Sequence, residues 1–273
     1  MPERVAVVTG AASGIGAATA ARLSKSGWRV IGVDKDECDV VADLGTAVGR
    51  QQAVDAVTER CGGSLAGIVT CAGLAGTPHR AGSLLVAVNY FGTVEILDGL
   101  RPLLAQGAAA VAISSNSTTV QPAIPADLVE ACLDGDTARA AEIADARGSL
   151  VAYPATKLAL AHWIRLHATG PDWAGAALRL NAIAPGMIDT PMVAGMRADE
   201  ETAPLLDLLP IPVGRPGRPE EIAALAEFLL GPDASFFCGS VVFCDGGSDA
   251  LLRTRDWPAA WDISVRDLGQ QLT

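Results

Sequence analysis

The chain has 273 residues, half of them apolar and 19% charged. Such a composition can bury enough surface to offset chain entropy, which excludes disorder over most of the length. Twenty Lys and Arg against 31 Asp and Glu leave a net charge of −11, and a net anion does not seek phosphate backbones, which excludes nucleic acid as the main partner.

Apolar runs alternate with amphipathic stretches, a pattern that predicts βαβ units and a parallel sheet. A first strand is predicted over 5–9, a helix over 14–25 ended by Gly27, a second strand over 30–33, a helix over 46–60 and a third strand over 67–71. Helical periodicity covers 83–104, and a fourth strand follows at 111–114. These strands read as continuous apolar runs, as expected where helices cover both faces. Segment 116–148 breaks the alternation. It opens as a polar loop with Gln121, Pro122 and Pro125 and continues as a charged helical piece from about Asp134 to Arg147, which reads as an insertion on the surface. A helix over 153–167, a strand over 177–182, a loop-rich apolar stretch over 187–215, a helix over 219–230 and a strand over 241–244 complete the pattern. Glu220 and Glu221 suit the positive end of their helix. The tail, about 248–273, carries Trp257 and Trp261, spaced to anchor it on its own subunit. No repeat or low-complexity linker divides the chain, so 1–273 is expected to form one α/β domain, a doubly wound parallel sheet with helices on both faces.

Six cysteines (38, 61, 71, 132, 238 and 244) form no CxxC pair and no metal-ligand spacing, and His79, His162 and His167 have none either. Reduced thiols, no metal and a cytoplasmic setting are expected. Met1-Pro2-Glu3-Arg4 leads into a strand without a signal-peptide pattern. The longest uncharged stretch, 102–126, holds Gln, Asn and three Pro and cannot span a bilayer as an apolar helix, so no membrane span is expected.

Thr9-Gly10-Ala11-Ala12-Ser13-Gly14-Ile15-Gly16 lies between the first strand and its helix. Glycines there permit a tight turn and let backbone approach a pyrophosphate, and the helix N-terminus offers N–H donors and a positive dipole end. Asp34 ends the second strand, 24 residues after Gly10, where a carboxylate can accept hydrogen bonds from an adenosine ribose and would repel a 2′-phosphate. NAD is therefore the expected cofactor, although Lys35 tempers the repulsion. Tyr153 and Lys157 stand four residues apart on one helix face. A phenol near pKa ~10 is a poor base at neutral pH. An adjacent ammonium and a positive nicotinamide ring are expected to lower that value and make Tyr153 a general acid/base for an alcohol–ketone pair.

The glycine turn matches TGxxxGxG, and with Tyr153-Pro154-Ala155-Thr156-Lys157 the chain from Val5 to Gly247 resembles the short-chain dehydrogenase/reductase family. The resemblance implies an NAD-dependent oxidoreductase acting on a CH–OH donor. It implies adenine contact at Asp43 and Leu44, and a cofactor-side stretch at Cys71, Ala72 and Gly73, with Cys where that family usually has Asn. It implies that Asn89 holds a water of the proton relay, that Ser115 rather than Ser114 bonds the substrate oxygen, and that Lys157 holds the ribose. It also implies that Pro185-Gly186-Met187-Ile188-Asp189-Thr190 binds the carboxamide through the Ile188 backbone and Thr190. Ser115 and Tyr153 are 38 residues apart, more than in most members. That spacing, with the tail, resembles the bacterial 3α-hydroxysteroid dehydrogenase/carbonyl reductase subgroup. The inserted segment would lie near the surface most members use for assembly, which implies a homodimer rather than a tetramer.

By family position, 187–215 should cover the substrate, with Met187, Met192, Val193, Met196, Leu205, Leu206, Leu208, Leu209 and Ile211 as its apolar side chains. Methionine suits adaptable pockets, so a small lipophilic substrate such as a steroid or terpenoid alcohol or ketone is expected, with general carbonyl reduction as the alternative. Two other readings are a nucleotide-sensing protein that keeps the fold without turnover, and a reductase of acyl thioesters. Intact Ser115, Tyr153 and Lys157 argue against the first, and the lack of a basic cluster argues against the second. Asp199-Glu200-Glu201 reads as a solvated turn.

Overall fold

In the computed structural model, which describes residues 3–260 and residue 262, seven parallel strands form one sheet in the order β3-β2-β1-β4-β5-β6-β7. The strands are β1 (Arg4–Thr9), β2 (Trp28–Asp34), β3 (Val40–Val41), β4 (Leu65–Thr70), β5 (Leu104–Ile113), β6 (Arg179–Pro185) and β7 (Val241–Cys244). The order reverses between β1 and β4. At such a switch point the carboxyl ends of neighbouring strands open a crevice that their loops line.

Alternation along β1 divides the core. Val5 and Val7 join the larger apolar cluster on one face, and Ala6 and Val8 join the cluster on the other. Helices α2 (Ala47–Arg60), α4 (Gly92–Leu100) and α8 (Ser149–Ala168) supply the first face. Helices α1 (Gly14–Lys25) and α11 (Pro219–Leu230) supply the second. Thr46, read from sequence as the first residue of α2, is its N-cap and accepts the Gly49 N–H at 3.0 Å. That bond satisfies one of the donors a helix start leaves free. Helical residues from Gly82 to Leu103 run without a break but change type. Helix α3 (Gly82–Leu85) passes into a π-turn over Val86–Phe91, then into α4 and a final 3₁₀ turn over Arg101–Leu103. This run is long and apolar enough to cross a membrane, but 67% of its most apolar window is buried inside the protein.

Several elements differ from their sequence-based bounds for identifiable reasons. β5 begins at Leu104 rather than 111 because its first residues include exposed Ala105, Gln106 and Gly107, which break the apolar run. β4 ends at Thr70 and leaves Cys71 in the loop, while β6 starts at Arg179 and extends to Pro185. β3 is a two-residue edge strand, too short to leave a pattern. The stretch 187–215 contains two short helices, α9 (Pro191–Ala198) and α10 (Ala203–Asp207). In the tail, α12 (Ser248–Arg253) is helical and Trp257 is half-buried; Trp261 lies outside the described residues.

The inserted segment departs most from its expectation. It contains α5 (Ser117–Val120), α6 (Ala126–Leu133) and α7 (Thr137–Arg147). It is not merely laid on the surface: Leu128, Val129, Ala131, Cys132, Ala140 and Ala144 are buried and belong to the larger core cluster. Each fully buried aliphatic side chain such as Leu128 contributes about 1.5–3 kcal/mol. Asp136 caps α7 by accepting the Arg139 N–H at 3.0 Å, and Arg147 pairs with Asp127 at 2.7 Å across the hairpin. Gly82 permits the closest approach between the insertion and α3. A Cβ there would stand 2.1 Å from the Ala144 carbonyl oxygen. Gly82→Ala is therefore expected to lower stability by about 1–3 kcal/mol, read as a fall in the denaturant midpoint with unchanged slope. An unchanged midpoint would show that α7 is not packed this way.

Candidate active site

The loop after β1 is held by its own backbone. Gly10 has φ +67 and donates its N–H to the Val33 carbonyl at 2.8 Å. A Cβ at Gly16 would lie 2.0 Å from the Gly10 carbonyl oxygen, so these two glycines set the tightness of the turn. Ser13 caps α1 by position but makes no side-chain cap bond, and the first turn of α1 holds no acidic residue. The helix thus presents free N–H donors and an uncompensated positive end at the sheet's switch point, the requirement for holding a phosphate. Asp34 stands beside this turn, its Oδ2 accepting the Ala12 N–H at 3.0 Å and its Oδ1 the Asp36 N–H at 3.3 Å. A carboxylate has further acceptor capacity beyond these two bonds. The residues present therefore fit a dinucleotide.

Ala72 donates its N–H to Thr9 Oγ1 at 3.1 Å, and a Cβ on Gly10 would lie 2.8 Å from Ala72 N, so the loops after β1 and β4 are in direct contact. Burial pushes the Cys71 thiol up to about 12, against the opposing influence of Thr19 and Lys157. It is a thiol rather than a thiolate at neutral pH, as a small packed side chain would be. Asp43 is exposed and its Oδ1 accepts the Gly45 N–H at 2.9 Å, while the Leu44 side chain is buried in the core.

Helix α8 carries Tyr153 and Lys157 into the cleft. Lys157 is 5% exposed, and its Nζ donates to the Ile113 carbonyl at 2.9 Å at the carboxyl end of β5. Ser114 Oγ donates to the Lys157 carbonyl at 3.0 Å. Ser114 therefore ties strand to helix, while Ser115 Oγ accepts the Ser117 N–H at 3.1 Å and Ser115 lines the cleft together with Tyr153. Burial holds the Tyr153 phenol above its ordinary value, opposed only by the Ser115 hydrogen bond. Burial also lowers the Lys157 ammonium to about 8. The expected lowering of Tyr153 by Lys157 is thus not found in the protein alone, where burial raises the phenol.

Asn89 lies in the π-turn and is fully buried. Its Oδ1 accepts the Leu74 N–H at 2.7 Å and its Nδ2 donates to the Leu74 carbonyl at 3.0 Å, while Thr93 Oγ1 donates to its carbonyl. The side chain thus fixes the loop after Gly73. Insertion of a π-turn at a functional position is a recurrent device.

Ile15, Cys71, Gly73, Ser114, Ser115, Tyr153, Lys157, Pro185, Gly186, Ile188 and Thr190 line one open cleft of about 1200 Å³, mouth included. Gly10, Ser13, Gly14, Gly16, Asp34, Asp43, Leu44, Ala72 and Asn89 do not line it. Gly14 is nevertheless adjacent, since a Cβ there would lie 3.4 Å from Thr190 Cγ2. Pro185 and Gly186 are fixed by bonds of the Pro185 carbonyl to Asn116 N–H and of Gly186 N–H to the Cys244 carbonyl. Thr190 caps α9. Met187, Met192, Val193, Met196, Leu205, Leu206 and Leu209 also line the cleft. Leu208 is 76% exposed and points away, and Ile211 lines a separate small cavity beside Cys244. Leu74, Ala75, Gly76, Ser117, Val120, Gln121 and Leu150 also line the cleft. They carry no motif, and no signal short of the fold places them there. Lys157 is the only charged residue among the lining set, and no group of acids, His and Cys among the described residues could hold a metal.

Comparison with known proteins supplies the context. A family model described as "short chain dehydrogenase" matches residues 4–125, and one described as "Enoyl-(Acyl carrier protein) reductase" matches 138–249. A 3-alpha-hydroxysteroid dehydrogenase/carbonyl reductase of Comamonas testosteroni is 38% identical over 255 residues, covering 91% of this chain and 98% of the relative. A cis-4-hydroxycyclohexanecarboxylate dehydrogenase of Sinomonas cyclohexanicum is 33% identical over 274 residues, covering 91% and 98%. The crystal structure of 3-alpha-hydroxysteroid dehydrogenase from Pseudomonas sp. B-0831, complexed with NADH, matches with a TM-score of 0.88 and 44% identity, covering 93% of this chain and all of that one.

The buried Lys157 makes a testable link between site and stability. The unfolded chain keeps this proton to about 10.5, and the folded chain releases it near 8. Its cost to folding is complete below pH 8 and is relieved as pH rises from 8 to 10.5. Relative to Lys157→Met, the wild type is therefore expected to gain about 3 kcal/mol of stability between pH 7 and 10.5, measured by denaturant unfolding at each pH. A constant difference would show that the ammonium is not desolvated.

Proposed function

The chain belongs to the short-chain dehydrogenase family, and on that premise we propose that it is an NAD-dependent dehydrogenase/reductase interconverting a lipophilic secondary alcohol, of the 3α-hydroxysteroid class, and its ketone. The observation that carries this reading is a single cleft. It places Ser115, Tyr153 and Lys157 between the helix that follows the glycine turn and a wall of Met and Leu side chains. NADH in the Pseudomonas sp. B-0831 structure and the carboxylate of Asp34 beside the turn favour NAD over NADP.

Gly10, Ser13, Gly14, Ile15 and Gly16 would hold the pyrophosphate through backbone N–H groups, and Asp34 the adenosine ribose. Cys71, Ala72 and Gly73 would flank the cofactor, and Ile188 and Thr190 would hold its carboxamide. NAD supplies the acceptor for the hydride that leaves the carbinol carbon. Ser115 would position the alcohol oxygen by a hydrogen bond while Tyr153, as phenolate, takes the hydroxyl proton. In reduction the Tyr153 phenol returns it. Lys157 would hold the nicotinamide ribose and stabilise the phenolate. Asn89, through Leu74, would keep the loop beside Lys157 in place. The apolar walls exclude water, which strengthens these fixed dipoles where charge develops.

Terpenoid alcohols and general carbonyl compounds fit the same walls. The acyl-thioester reading is less favoured because Lys157 is the only charged lining residue, which leaves no second cation in the cleft for an acidic ligand. Six free thiols suit the reducing cytoplasm. The inserted helices α6 and α7 would lie near the surface that most family members use for assembly, which favours a homodimer over a tetramer. Light scattering is expected to give twice the chain mass, and four times would contradict it.

Catalysis is tested by nicotinamide absorbance with purified protein, NAD+ or NADP+, and a panel of 3α-, 3β- and 17β-hydroxysteroids, terpenols and short secondary alcohols. The wild type is expected to reduce NAD+ with a lipophilic alcohol, and Tyr153→Phe to lose about 10²–10⁴-fold in kcat. NADH binding without turnover of any alcohol would favour the nucleotide-sensing reading.

A further inference from the structure

The catalytic helix holds one polar residue that the proposed chemistry does not use. Ser149 is the first residue of α8 and is 3% exposed. Its hydroxyl accepts the Thr77 N–H at 3.0 Å and also donates to the Thr77 carbonyl. One side chain thus satisfies both polar groups of a single residue's backbone, as a strand partner would. Ser149, Tyr153 and Lys157 are spaced i, i+4 and i+8 along α8, so they share one face at intervals of about 6 Å.

The bonded loop is a wall of the cleft. Gly73, Leu74, Ala75 and Gly76 all line it. Asn89 clasps the loop at Leu74 and Ser149 clasps it at Thr77, so the two residues between are held from both ends. Gly76 sits directly on the start of α8: a Cβ there would lie 2.5 Å from the Ser149 carbonyl oxygen and 3.0 Å from Leu150 Cα. Just beyond, Ser83 donates its N–H to Asp145 Oδ1 at 2.8 Å, joining the same stretch to the insertion. Loops that carry binding residues usually move. This one is fastened to the helix that carries the acid/base.

We propose that Ser149 is a positioning residue, which sets the width of the substrate cleft by fastening the 74–77 wall one helical turn from Tyr153. The inference rests on reading the cleft as an alcohol-binding site. A rigid wall favours a bulky, ring-shaped substrate, whose large contact area depends on the wall's exact distance. A small alcohol touches little of it.

The test compares wild type, Ser149→Ala and Gly76→Ala on a 3α-hydroxysteroid and on cyclohexanol at saturating NAD+, with amide exchange of the same proteins. Both variants are expected to raise KM for the steroid about tenfold while kcat changes by less than about threefold. KM for cyclohexanol is expected to stay within about twofold of wild type. Faster exchange should be confined to 74–77. An unchanged steroid KM despite faster exchange, or equal losses for both alcohols, would overturn the proposal. If the wild type oxidises neither alcohol, the substrate reading fails by itself. The fastening is then decided by exchange alone: faster exchange confined to 74–77 in both variants upholds it, and unchanged or chain-wide exchange overturns it.

Discussion

The bond from Lys157 Nζ to the Ile113 carbonyl is the contact on which the site depends. It buries an ammonium at the carboxyl end of a central strand, where desolvation opposes the charge. In return it fixes the rotation of α8 about its axis. Ser114 reinforces the register by bonding the Lys157 carbonyl. Once α8 is locked to β5, Tyr153 can only face Ser115, and Ser149 can only face Thr77. Instability stored at one buried charge and offset by a large apolar core is the usual balance at a functional site.

Much of this was legible in the sequence because it is local. Helix α1 and helix α11 have the bounds their periodicity gave, and so does β7. The glycine turn and the Tyr153–Lys157 spacing are also local, and Ile15 of the turn lines the same cleft as Tyr153 and Lys157. What the sequence hid depends on tertiary contact. Helix α6 was not foreseen because its buried face, Leu128, Val129, Ala131 and Cys132, follows a polar proline-containing loop and has meaning only against α8. Spacing sets a Lys beside Tyr153 but does not show the burial that raises the phenol in the protein alone.

The insertion connects fold and specificity. Its helices add to the core, and its end leads through Gly148 into the first turn of α8. The same segment supplies Ser117, Val120 and Gln121 to the cleft and seats the 71–82 loop opposite α9 and α10. The cleft walls therefore come from three chain segments that are remote in sequence, and most of their apolar residues lie outside the motifs. This division explains how a family can keep one reaction and change its substrate.

The central claim is that the Tyr153 cleft brings an alcohol carbon and a nicotinamide together. Its most direct test is isotope transfer from a 3α-hydroxysteroid carrying deuterium at the carbinol carbon, with NAD+, followed by mass spectrometry of the reduced cofactor. The account predicts one deuterium on the nicotinamide with the wild type and essentially none with Tyr153→Phe. Reduced cofactor without deuterium, or equal labelling by the variant, would contradict it.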